Sequence, residues 1–149
     1  MKNFDSFRFA PYGTRYLLET RFQYEGLKNV VNYALNELSD GQRALLALYT
    51  LLEFARENYT VVCLDEPDNF IALPEIQPWL TALYDLCNEN GTQGILISHH
   101  PEVIDLLSSH AVWMERSNGL ATRLTPLPES GEDTLKVSEV IARRWVGNE

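Results

Sequence analysis

The stretch Thr60-Val61-Val62-Cys63-Leu64-Asp65-Glu66-Pro67-Asp68-Asn69 constrains this chain more than any other. β-branched and apolar residues run unbroken into two adjacent carboxylates, and Pro67 then forbids continuation in register. This pattern predicts a buried parallel strand whose carboxyl end opens into the crevice where ligands of open α/β sheets bind. Adjacent strand residues point to opposite sides, so Asp65 and Glu66 have separate tasks. One can hold a metal while the other orients a water.

The segments on either side supply the rest of an α/β arrangement. Residues Phe4 to Gly13 read as an irregular lead-in, Arg15 to Tyr24 as a strand, and Val30 to Tyr33 as its return after the Glu25-Gly26 turn. From Arg43 to Phe54 a continuous apolar run predicts a largely buried helix. Ser39 is placed to cap it, with Gln42 as the reciprocal acceptor of a capping box. Pro74 or Pro78 can occupy the first turn of a helix over Trp79 to Asn90, closed by a left-handed Gly91. Gln93 to Ser98 predicts a second short buried strand, and Pro101 starts a helix running to about Ser109. Ala111 to Arg116 and Leu120 to Leu124, joined through Ser117-Asn118-Gly119, predict a hairpin. A polar linker over 126–133 and an amphipathic helix over 134–145 complete the chain. The order gives an α/β fold with a parallel sheet core flanked by helices and a carboxyl-terminal β-hairpin.

At 149 residues the chain suits a single domain with its own core. No apolar run approaches the roughly 20 residues of a membrane span, and Met1 to Asp5 is too polar to open a secretory signal. The expected location is the cytoplasm. A net charge of −9 argues against non-specific nucleic-acid binding by this chain alone. Arg8, Arg15 and Arg21 could form a local basic strip, although scattered solubilising charge is the commoner meaning of such residues. Cys63 and Cys87 fall where periodicity predicts burial and read as small core residues rather than as a disulfide or a metal pair.

Three stretches carry chemistry. Leu38-Ser39-Asp40-Gly41-Gln42 is either a plain capping box or an anion site. Gly41 favours the second, because glycine in a first helical turn costs about 1 kcal/mol against alanine and makes sense where another group approaches the backbone. The amino end of a helix offers free N–H groups to phosphate. Asp65 and Glu66 are either a solvated strand exit or a magnesium ligand beside a group that orients an attacking water. In Ser98-His99-His100-Pro101, His99 follows a strand expected to neighbour the Asp65 strand, so it would emerge at the same sheet edge. His100 precedes proline and reads as a cap or surface residue.

Taken in order, these stretches resemble the carboxyl-terminal half of an ABC-type ATPase. Leu38 to Gln42 looks like the signature motif, with Asp40 where glycine is commonest. Val61 to Pro67 looks like a Walker B strand with its catalytic glutamate, Asp68-Asn69-Phe70 like the following D-loop, and Ser98-His99 like the switch histidine. The match spans about 36–116, and within it 42–48 and 99–104 are closer to soluble RecF/SMC-like and OLD-like ATPases than to transporter subunits. Such relatives act in DNA repair, chromosome maintenance and phage defence.

The resemblance implies a partial P-loop NTPase lobe binding ATP and Mg2+. In it Ser39, Asp40, Gly41, Gln42 and Asp68 would contact nucleotide, Asp65 would hold the metal, and Glu66 and His99 would be catalytic. One departure is decisive: no glycine here is followed by lysine, so the Gly-Lys-Ser/Thr turn of a P-loop is missing. A truncated or split lobe is therefore expected, completed by a P-loop-bearing amino-terminal lobe or a second ATPase subunit in a dimer, with DNA or a nuclease as a further partner. Two alternatives stay open, a non-catalytic regulatory module that keeps the fold and a transporter nucleotide-binding lobe.

Overall fold

The computed structural model describes residues 3–26, 28–58, 61–116, 119–126 and 136–146. Contacts divide the chain into two compact units, residues 1–96 and 97–149.

The first unit opens with a three-stranded antiparallel meander, β1 (Phe4–Tyr12), β2 (Arg15–Phe22) and β3 (Val31–Ala34). The expected irregular lead-in is thus a nine-residue strand. Gly13 at φ 59° turns the chain so that Tyr12 and Arg15 pair directly, the left-handed geometry that a two-residue hairpin loop requires. Pro11 is tolerated because β1 is an edge strand with a free side. One face of the meander carries Phe22, which packs with Leu38 and Leu46 inside a ring of Phe4, Tyr24 and Tyr33. Phe4 and Tyr33 both meet Phe22 edge-on, at ring separations of 5.9 and 5.6 Å.

Helix α1 (Asp40–Glu57) buries Leu45, Leu48, Leu52 and Ala55, a repeat of three and four that lays one stripe against the core. It touches α2 (Leu73–Asn90), whose own stripe is Ile76, Trp79, Leu80, Leu83 and Leu86. α2 begins six residues before the expected Trp79, so Pro74 takes the first turn and Pro78 lies inside the helix. Gly91, left-handed at φ 74°, ends it as expected.

α2 is the crossover between β4 (Val61–Asp65) and β5 (Gln93–Ile97), neighbours in a parallel pair. Both strands stand where expected, but neither is buried on both faces. Val62 is 4% exposed, whereas Val61 and Cys63 on the other side are open. In β5, Gly94 lies against α2, where an added Cβ would come 3.2 Å from the Cys87 sulfur. Ile95 and Ile97 face the opposite way and are 54% and 55% exposed. Helices cover one side of this pair, and the alternation of strand side chains leaves the other bare. This also corrects the expected burial of the two cysteines, which are free thiols: Cys63 is exposed and Cys87 half-buried. Burial pushes the Cys87 thiol up, offset in part by a backbone hydrogen bond from Gly94.

In the second unit, α3 (Pro101–Leu106) is shorter than expected and passes into a tight helical turn at Ser108–His110. β6 (Val112–Glu115) pairs antiparallel with β7 (Arg123–Pro126). The return strand starts at Arg123 rather than Leu120, and Arg116 Nε donates to the Leu120 carbonyl at 3.0 Å within the wider connection. Ser117, Asn118 and the expected linker after Pro126 lie outside the described residues. α4 (Val137–Val146) packs on α3. Its first turn is capped across the helix pair: Asp105 accepts from the Ser138 amide at 3.0 Å and from its hydroxyl at 2.9 Å.

Candidate functional site

The start of α1 is built as its sequence implies. Ser39 has extended geometry, its hydroxyl accepts from the Gln42 amide at 3.2 Å, and the Gln42 side chain accepts from the Ser39 amide at 3.0 Å. Two of the helix's open donors are satisfied reciprocally. Asp40 is paired with Arg43 one turn on. The Asp40 carboxylate is therefore paired within its own helix.

Gly41 is needed here because of a neighbour in the chain itself. A Cβ at this position would lie 2.5 Å from the Phe70 carbonyl oxygen and 3.9 Å from the Ile71 Cα. No side chain fits against a backbone carbonyl at that distance. The sequence takes Gly41 as room for an anion at the helix end, whereas the group that approaches it here is the loop following β4. The first turn of α1 and residues 66–71 are consequently in contact, which joins two of the motifs at one place.

That loop is wound tightly. Glu66 stands at φ 46° and Phe70 at φ 67°, left-handed conformations uncommon for residues with side chains. Two backbone bonds close the turn, from the Asn69 amide to the Glu66 carbonyl and from the Ile71 amide to the Asp68 carbonyl, each 3.1 Å. Asn69 also donates from its side chain to Glu66 Oε2 at 2.8 Å. Asp65 is exposed at the end of β4, Glu66 half-buried, and Pro67 and Asp68 are buried. One carboxylate thus faces solvent with freedom to bind, the next is held by a neighbour, and the third is packed into the base of the turn. The sequence places Asn69 and Phe70 in a D-loop-like stretch without giving either a task of its own. The signal that could have found Asn69 is the Pro-Asp-Asn run after a strand, since each of those residue types favours turns.

His99 belongs to the second unit, where it is exposed immediately after β5. His100 is the residue preceding the first turn of α3, as expected of a cap. Its amide donates to the Ser98 hydroxyl at 3.1 Å, and its Nδ1 lies 2.7 Å from Glu102 Oε2. Ser39, Asp40, Gly41, Gln42, Asp65, Glu66 and Asp68 all belong to the first unit. Among the described residues, no group of three or more His, Cys, Asp and Glu is arranged to hold a metal unaided.

Residues 5–105 match the family model of the AAA domain described as a putative AbiEii toxin of type IV toxin–antitoxin systems. The chain belongs to this AAA-domain family. A solved SMC ATPase chain, from work on the ATP-driven dimerization and DNA-stimulated activation of SMC ATPases, shares its fold. The TM-score is 0.66 at 15% identity, over 96% of this chain and 82% of that one. No curated protein matches the sequence. The family and the shared fold together place the chain among α/β ATPase domains of the P-loop NTPase type. No helix among the described residues of this AAA-family domain is long and apolar enough to cross a membrane.

Proposed function

We propose that this AAA-family domain is the carboxyl-terminal lobe of an ABC-type ATPase and contributes a signature motif, Walker B and switch histidine to a composite ATP site. The P-loop comes from another lobe or subunit. The contact between Gly41 and the Phe70 carbonyl carries the reading, because it joins the phosphate-seeking end of α1 to the turn that holds Glu66. The bare side of β4 and β5 agrees with it, since parallel strands are ordinarily covered on both faces.

In this reading Ser39, Asp40, Gly41 and Gln42 present helix-end N–H groups and side chains to the γ-phosphate held by the opposite subunit. Asp65 suits a magnesium ion that arrives on its nucleotide, an ion that takes one or two carboxylates and completes its shell with phosphate and water oxygens. A magnesium held there would supply Lewis-acid polarisation of the phosphate oxygens. Glu66, its carboxylate held by Asn69 Nδ2, accepts a hydrogen bond from the attacking water and directs it. Asp68 braces the turn from its buried position, and His99 reads the γ-phosphate. The solved SMC relative comes from work on ATP-driven dimerization, and a dimer closed by ATP is the assembly this arrangement requires. Roles in DNA repair or phage defence would be exercised through DNA or a nuclease partner.

The test is to combine the chain with a P-loop-bearing lobe and measure phosphate release. Glu66→Gln should lower turnover by about 100-fold or more, the scale of a general-base loss, while ATP still closes the dimer. Turnover that ignores this substitution removes Glu66 from the mechanism. The missing Gly-Lys-Ser/Thr turn favours a second reading, a regulatory module that dimerises without chemistry. It predicts ATP-dependent association but no phosphate release from the combined lobes.

A further inference from the structure

Independently of the ATPase reading, the pairing of β1 with β2 assigns a role to three arginines. Arg8 lies opposite Glu19, Tyr12 opposite Arg15, and Arg21 opposite Ser6. Because side chains alternate along a strand, Arg8, Arg15 and Arg21 share one face of the meander. Phe22 and Thr20 point the other way and are buried, so the arginine face is the outer one. Arg15 to Arg21 spans six residues of β2, about 20 Å at the rise of an antiparallel strand.

The charges on this face are largely available. Arg8 and Arg15 are exposed and hold no carboxylate among the described residues. Arg21 reaches Asp5 only at 3.9 Å, with both side chains more than 40% exposed, a separation that contributes little in water. Glu19, opposite Arg8, and Asp5, near Arg21, are the acidic side chains beside these arginines on β1 and β2. A chain with a net charge of −9 has therefore gathered three cations on one face. Tyr12, 69% exposed, stands directly across from Arg15.

We infer that this face binds single-stranded nucleic acid, the arginines contacting successive phosphates and Tyr12 offering its ring to an unstacked base. A row of cations beside an exposed aromatic is the combination by which sheets track a single strand. In a duplex the bases are stacked away from such a ring.

The experiment is fluorescence anisotropy of the whole chain with a labelled oligothymidylate of about 15 nucleotides, titrated between about 50 and 200 mM salt. Three phosphate contacts give a slope of log affinity against log salt near −2. Arg8→Ala or Arg15→Ala should each flatten the slope by about 0.7, and lysine at either position should restore it. Tyr12→Ala should weaken binding about tenfold, with Tyr12→Phe unchanged, and Glu19→Gln should tighten it. Arg8, Tyr12 and Arg15 are exposed and Glu19 is half-buried, and far-UV circular dichroism confirms that each variant is folded. The inference is overturned if the oligonucleotide does not bind at low salt, if the arginine variants keep the wild-type slope, or if a duplex of the same length binds as tightly.

Discussion

Glu66 is held at φ 46° by a turn that its own side chain helps to close through Asn69. A left-handed residue with a side chain is strained by about 1 kcal/mol or more, and such strain persists only where surrounding bonds over-determine it. The turn tolerates it because three hydrogen bonds tie the loop and because Gly41 lets the Phe70 carbonyl settle on α1. Gly41→Ala tests this by sign. Helix propensity alone would make alanine more stable by about 1 kcal/mol, whereas overlap with a backbone oxygen should make the variant less stable by about 1–3 kcal/mol. Urea denaturation decides between them, and a stabilised variant would mean that the loop does not lie where the structure has it.

At the scale of elements, the two units finish a helix end in different ways. α1 begins with a reciprocal cap encoded locally, whereas α4 borrows its cap from Asp105 on α3, thirty-three residues upstream of Ser138. Lys136 adds a distant, exposed partner at 3.9 Å. Asp105→Ala should destabilise α4 by about 1–3 kcal/mol, the range for hydrogen bonds to a charged acceptor. Amide exchange at Ser138 should accelerate while exchange along α1 stays as it was. Uniform acceleration in both helices would show that Asp105 supports the whole chain rather than one helix end.

At the largest scale, the first unit is covered on one side of its parallel strands and bare on the other. Val61, Cys63 and Ile95 present an apolar surface in a chain otherwise rich in acidic residues. Exposed patches of this kind mark sites where another surface docks. Ile95→Lys should leave the unfolding midpoint almost unchanged, within about 0.5 kcal/mol, because the side chain is already in solvent. The same change should prevent association with a P-loop-bearing lobe in analytical ultracentrifugation. A large loss of stability would instead show that Ile95 is buried.

What the sequence determined by itself is local. The Ser39 and Gln42 cap, the end of α2 at Gly91, the two parallel strands and the turn after Asp65 follow from neighbouring residues whose conformational preferences agree. The first strand escaped because Pro11 and Gly13 read as irregularity, while what makes β1 a strand is its partner β2. The two-sided burial of β4 and β5 was wrong for a related reason: an apolar run says that a face can be covered and does not say whether a layer is there to cover it. Likewise Gly41 announced a close approach and was taken to favour an anion, whereas the neighbour is the Phe70 carbonyl. Burial, cross-strand neighbours and contacts between loops are properties of segments far apart in the chain, and only the tertiary structure brings them together.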